Sequence, residues 1–136
     1  LEITMPHKPT LEVYLGPISQ LRMSSPAECS QYFTTRFKGN PAEGFRRTID
    51  QAGLNPQLAQ LQQVLVRVRQ CFPQQTKAVL TIHDQVNYQQ IIAALGSIRE
   101  LINSQKAFEV TDPIGRKEMS RILFPEVLVK EFERDS

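Results

Sequence analysis

The chain has 136 residues, 40% hydrophobic and 22% charged, which suits one folded domain and excludes a disordered polymer. Its 16 basic and 14 acidic residues leave a net charge of +2, too little for the field that drives nucleic-acid binding. No stretch approaches the roughly 18 consecutive apolar residues of a membrane span, and no secretory signal pattern is present.

The first residue is Leu1 rather than methionine, so we expect a trimmed N-terminus, with a signal or a membrane anchor among the segments that stood before it. Residues 1–10, LEITMPHKPT, carry two prolines and read as an extended arm outside the core. LEVYL at 11–15 is apolar and β-leaning, and Gly16 and Pro17 bound it, so a strand is expected there. ISQLRM at 18–23 is a candidate return strand.

Residues 24–55 read as an insertion on the fold. Pro26 suits the first position of a short helix. KGNPAEGF is a turn-rich gap, and the spacing of Phe45, Ile49 and Ala52 predicts a helix ending at Gly53. Beyond it the pattern sharpens. Asn55-Pro56 reads as a helix cap, and Leu58, Leu61, Leu65 and Val68 form an amphipathic stripe over about 56–71.

KAVLTI at 77–82 reads as a buried strand. Tyr88, Ile91, Ile92, Leu95, Ile98 and Ile102 form a second helical stripe, and KAFEV at 106–110 a further strand. Helix, strand, helix, strand is α/β grammar, and a right-handed crossover would set 77–82 parallel to 106–110 in one sheet. In the tail, IGRKEMSRILF is a candidate helix, and EVLVKEFER fits a helix or a last strand. The fold class expected is α/β (α+β): a two-layer sandwich with helices on one face of a small mixed sheet.

Cys29 and Cys71 are the only cysteines, and their spacing fits no metal site. They are either two buried thiols or one disulfide; free thiols are favoured, because cysteine packs as a small hydrophobe. His83, Asp84, Asn87 and Tyr88 stand between strand and helix. Asp84 or Asn87 can cap the helix, and Tyr88 can put its ring inside as the helix anchor. The sharper reading makes Cys71 a nucleophile with His83 as its base. No glycine-rich phosphate loop, no nucleophile elbow and no second histidine near the site accompany it. We therefore expect no enzyme, no cofactor and no metal. Arg46-Arg47 and the pair Arg67 and Arg69 read as solvated faces, with contact to an acidic polymer as the minority reading.

Three stretches resemble the soluble domain of the ExbD/TolR biopolymer-transport family. LEITMPHKP is similar to its post-membrane segment, with Met5-Pro6 where the family has Leu-Pro. LQQVLVRVRQCFPQQTKAVLTI is similar to its helix, loop and central strand. DQVNYQQIIAALGSIREL is similar to its most recognisable piece through Asp84, Val86, Tyr88, Ile91 and Ile92, and FEVTDP would be the closing strand. The resemblance covers about half the chain, and residues 24–55 and the tail exceed it. It implies a single periplasmic domain over 11–136, with residues 1–10 as a post-membrane arm in which Met5 and Pro6 take part in gating. It further implies an inner-membrane protein anchored by a missing N-terminal helix, working as a homodimer beside an ExbB/TolQ-like proton-channel subunit. Its tasks would be protein transport or gliding motility in the cell envelope, driven by proton-motive force. Further partners implied are a TonB/TolA-like protein or peptidoglycan. The alternative is a soluble adaptor domain that binds a protein through an exposed strand edge.

Overall fold

A computed structural model describes residues 1–5, 11–16, 26–40, 42–49, 54–73, 75–82, 86, 88–101, 106–111 and 114–131. The elements, in chain order, are strands β1 (Glu2–Met5) and β2 (Leu11–Leu15), helix α1 (Pro26–Arg36), and strands β3 (Lys38–Asn40) and β4 (Gly44–Ile49). Helix α2 (Leu54–Cys71), strand β5 (Lys77–Ile82) and helix α3 (Tyr88–Arg99) follow, then strands β6 (Phe108–Thr111), β7 (Lys117–Ser120) and β8 (Glu126–Glu131). Six strands make a mixed sheet in the order β3-β4-β2-β1-β5-β8, and β6 and β7 pair as a separate hairpin. The α/β sandwich is therefore as expected.

The register lines up one row of side chains across the sheet. Arg47 of β4 stands beside Val13, Val13 beside Ile3, Ile3 beside Leu80, and Leu80 beside Val129 of β8. Val13, Ile3 and Leu80 are fully buried, and the row becomes polar or exposed at its ends, Arg47 on one side and Val129 on the other. Alternation along β2 repeats this, with Leu11, Val13 and Leu15 buried and Glu12 exposed.

Helix α2 is the main covering element. Leu58, Leu61, Val64, Leu65 and Val68 are buried at spacings of three and four, which lays one stripe on the sheet. The helix ends where the Phe72 N–H donates to Val68 O and Pro73 follows. Helix α3 packs beside α2 and reaches β5 and β8. Gln62 joins the two helices: its buried Nε2 donates to Ser97 O at 3.1 Å and Glu100 O at 2.9 Å. Residues 121–124 close the end of α3. Phe124 N–H donates to Ile98 O and Leu123 N–H to Arg99 O, so two terminal carbonyls gain partners.

Five expectations about the elements are corrected. Residues 2–5 are not an arm; β1 is an inner strand, antiparallel to β2 and parallel to β5, with Ile3 fully buried. Residues 45–49 are strand β4 and not a helix. Phe45 and Ile49, four apart, share one face in either geometry; in the strand Arg47 lies between them on that face and reaches over the Phe37 ring at 6.0 Å. Residues within 24–55 belong to the heart of the fold, since Phe33 and Phe45 are among the largest fully buried side chains. Finally, β6 is not the parallel neighbour of β5. Lys117–Ser120, expected in a helix, is the strand that pairs with β6, and β8 takes the place beside β5. The candidate return strand at 18–23, Ala52 and Gly53 lie outside the described residues.

The cysteines are joined. Cys29 of α1 and Cys71 at the end of α2 form a disulfide with their Cα atoms 5.9 Å apart. Free thiols were expected because each cysteine sits in an apolar pattern. Both are indeed buried, but α1 lies against the C-terminal turn of α2 and brings the sulfurs together. The staple sits beside an aromatic cluster. Phe33 stacks on Phe45 and Phe72 with ring centroids 5.6 and 5.9 Å apart, and Phe37 meets it edge-on at 5.4 Å.

The β3–β4 turn depends on glycine and on an Asx turn. Asn40 Oδ1 accepts from the N–H groups of Ala42 and Glu43. Gly44 has φ of 103°, and a Cβ there would stand 2.6 Å from Leu15 O. Only glycine lets β4 leave the turn this close to β2.

Candidate functional site

Met5 is the last residue of β1 and pairs with Ile82 in the central sheet, so its backbone is tied to the core and not to a gating arm. Pro6, His83, Asp84 and Asn87 lie outside the described residues. Tyr88 opens α3 but is 74% exposed, so it does not anchor the helix by burying its ring. At 3.6 residues per turn it lies about 120° around the helix from Ala94. Helix α3 buries the face of Ala94, Ser97 and Ile98, and Tyr88 and Ile92 stay outside it. Cys71 is held in the disulfide, which removes the thiolate that a Cys71–His83 hydrolase would need. No group of three or more metal-ligating side chains occurs among the described residues, and no described helix is long and apolar enough to cross a membrane.

Two surfaces carry binding chemistry. The first is the edge of β8. One side of this strand pairs with β5, and no strand of the described residues covers the other. Leu128 and Val129 are 58% and 40% exposed. They point to opposite faces, because successive side chains of a strand alternate. The outer edge therefore offers a row of backbone donors and acceptors flanked by aliphatic groups on both faces. Tyr88 and Ile92 add exposed apolar area on α3, which packs against β8.

The second surface is at the opposite end. Helix α1 ends with Tyr32 and Arg36, β4 carries Arg46 and Arg47, and α2 contributes Gln60, Gln63 and Arg67. Arg36, Arg47 and Arg67 share the wall of a concavity of about 320 Å³ with Tyr32, and no carboxylate of the described residues lines it. The Arg67 guanidinium sits over the Tyr32 ring at 5.0 Å, and that of Arg46 over the Tyr14 ring at 4.6 Å. Burial pushes the Tyr32 hydroxyl above its ordinary range, against the opposing pull of Arg47, Arg67 and Arg36. Arg36 and Arg47 also border a neighbouring concavity of about 490 Å³ reaching across the uncovered face of the sheet, where Glu2 and Glu12 add negative charge.

The sequence singled out Arg46, Arg47 and Arg67 but read them as solvated. Arg36 and Tyr32 were not singled out, because nothing in their spacing signals convergence with residues 47 and 67. Arg69, also read as solvated, is half-buried and donates from Nη1 to Pro73 O, and burial lowers its pKa.

Comparison with protein-family models, with curated proteins and with solved structures found no match for this chain.

Proposed function

We propose that this chain is the envelope-side domain of an ExbD/TolR-like subunit, acting by self-association and partner binding and not by catalysis. The observation that carries this reading is the open β8 edge, flanked by Leu128 and Val129. Backbone groups along such an edge pair with an added strand, and alternate side chains give the contact its specificity. A second copy presenting the same edge would pair antiparallel with it in an isologous dimer. The buried disulfide supports an oxidising compartment such as the periplasm, since disulfides persist there and are rare in reducing cytosol. The mixed sheet covered by helices α2 and α3 agrees with the architecture implied by the resemblance. In this reading the partners are a proton-channel subunit of ExbB/TolQ type and a TonB/TolA-like protein or peptidoglycan. The inner position of β1 would make residues 2–5 a rigid lead into the core rather than a loose tether.

The test is sedimentation velocity across a wide concentration range, on the chain and on Leu128→Lys. A reversible dimer weakened by the substitution supports the reading. A strict monomer at the highest concentration would move the weight to the adaptor reading, in which the same edge receives an unrelated protein.

A further inference from the structure

We infer that the pocket bounded by Arg36, Arg47 and Arg67 is a binding site for a phosphoryl-type oxyanion. The inference rests on the pocket alone and holds for either reading of the β8 edge.

The three guanidinium groups come from three different elements, the end of α1, the middle of β4 and the last turns of α2. Like charges repel, so their convergence has a cost that a neighbouring carboxylate would normally offset. No described carboxylate lies in an ion pair with any of the three, and none lines the pocket. The fold holds the cations by other means. Arg67 lies over the Tyr32 ring and Arg47 over the Phe37 ring, at 5.0 and 6.0 Å. A ring contact of this kind does not use up the five N–H donors of a guanidinium, so donors remain for a ligand. The Cys29–Cys71 disulfide fixes two walls of the pocket, since Cys29 lies one turn before Tyr32 and Cys71 one turn after Arg67. The site is therefore arranged before any ligand arrives.

Phosphoryl chemistry fits this arrangement better than a single carboxylate. A carboxylate has two oxygens and one charge, and one guanidinium fork can satisfy both oxygens. A phosphate monoester offers three terminal oxygens and a charge near −2, enough for three forks approaching from three sides. The Tyr32 hydroxyl is a further donor at the pocket wall. The anion is either free phosphate or the monoester headgroup of phosphatidic acid.

The experiment is isothermal titration of inorganic phosphate at low ionic strength, with succinate as the carboxylate arm. Vesicle flotation accompanies it, on phosphatidylcholine with and without phosphatidic acid. The proteins are the full chain, Arg47→Gln, Arg67→Gln and the distant control Arg99→Gln. Saturable phosphate binding, weakened about tenfold or more by either pocket substitution and unchanged in the control, is expected. Vesicle binding that depends on phosphatidic acid and is lost in the same two variants supports the site with a lipid headgroup as the source. Phosphate must also raise the absorbance titration midpoint of a tyrosine, and Tyr32→Phe must remove that change, because a bound anion cancels the arginine field on the phenol. No saturable response to phosphate or vesicles, equal binding of succinate, or equal binding by the pocket variants would overturn the inference.

Discussion

The two ends of the sheet are built on opposite plans. At the β3–β4 end, a disulfide and stacked phenylalanines close the structure, and the exposed groups are arginines held over aromatic rings. At the β8 end neither device is present among the described residues, and Tyr88, Ile92, Leu128 and Val129 are exposed. The first end is cross-linked, and its arginine-lined pocket is the proposed site for a small charged ligand. The second leaves backbone and apolar groups unmatched among the described residues and is the surface proposed to take another polypeptide. On the proposed reading stability and association are separated along one sheet, so substitutions at the two ends should have different consequences.

The largest expected effect is at the aromatic end. Phe33→Ala removes a fully buried ring that touches Phe37, Phe45 and Phe72. We expect a loss of about 3–5 kcal/mol in urea unfolding. Replacing both cysteines by serine opens a cross-link between residues 42 apart in sequence. The chain-entropy relation gives a loss of about 4 kcal/mol, read by the same method. Gln62→Leu lies between the two ends. It removes the donor to Ser97 O and Glu100 O and is expected to cost about 1–3 kcal/mol, with the end of α3 exchanging amide protons faster. Leu128→Lys should change the unfolding free energy of the monomer by less than about 0.5 kcal/mol while weakening self-association. A large destabilisation at position 128 would break the comparison, because that side chain would then belong to the core.

The smallest effect concerns pH. Burial raises the Tyr32 pKa, so the folded state keeps its phenol proton to higher pH than the unfolded chain. The associated stability is present in full below the ordinary tyrosine pKa and is lost as pH rises through the folded value. Stability measured above about pH 10 should therefore fall, and less so in Tyr32→Phe.

The strands at 11–15 and 77–82, helices α2 and α3 and the start of α1 at Pro26 were legible because each has its own period or its own punctuation. Leu58, Leu61, Leu65 and Val68 repeat at the helical spacing, and LEVYL alternates between glycine-proline boundaries. β4 was illegible because a spacing of four fits a helix and every second residue of a strand alike. β1 was hidden by the prolines that follow it and by having Ile3 as its buried apolar residue. β7 carries no apolar pattern, since Lys117, Glu118 and Met119 are all exposed. The pairing of Cys29 with Cys71 and the meeting of Arg36, Arg47 and Arg67 are tertiary facts. They depend on how α1 is laid against α2 and β4, which local sequence does not encode. Tyr88 taught the reverse lesson. It continues an apolar stripe in the sequence, but the helix turns a different face to its neighbours.

Hydrogen–deuterium exchange on the intact chain at low and high protein concentration tests the central claim most directly. If the β8 edge is the association surface, the amides of residues 126–131 gain protection as concentration rises, while those of β2 and β4 stay the same. Protection that grows instead around α1 and β3, with β8 unchanged, would contradict the account.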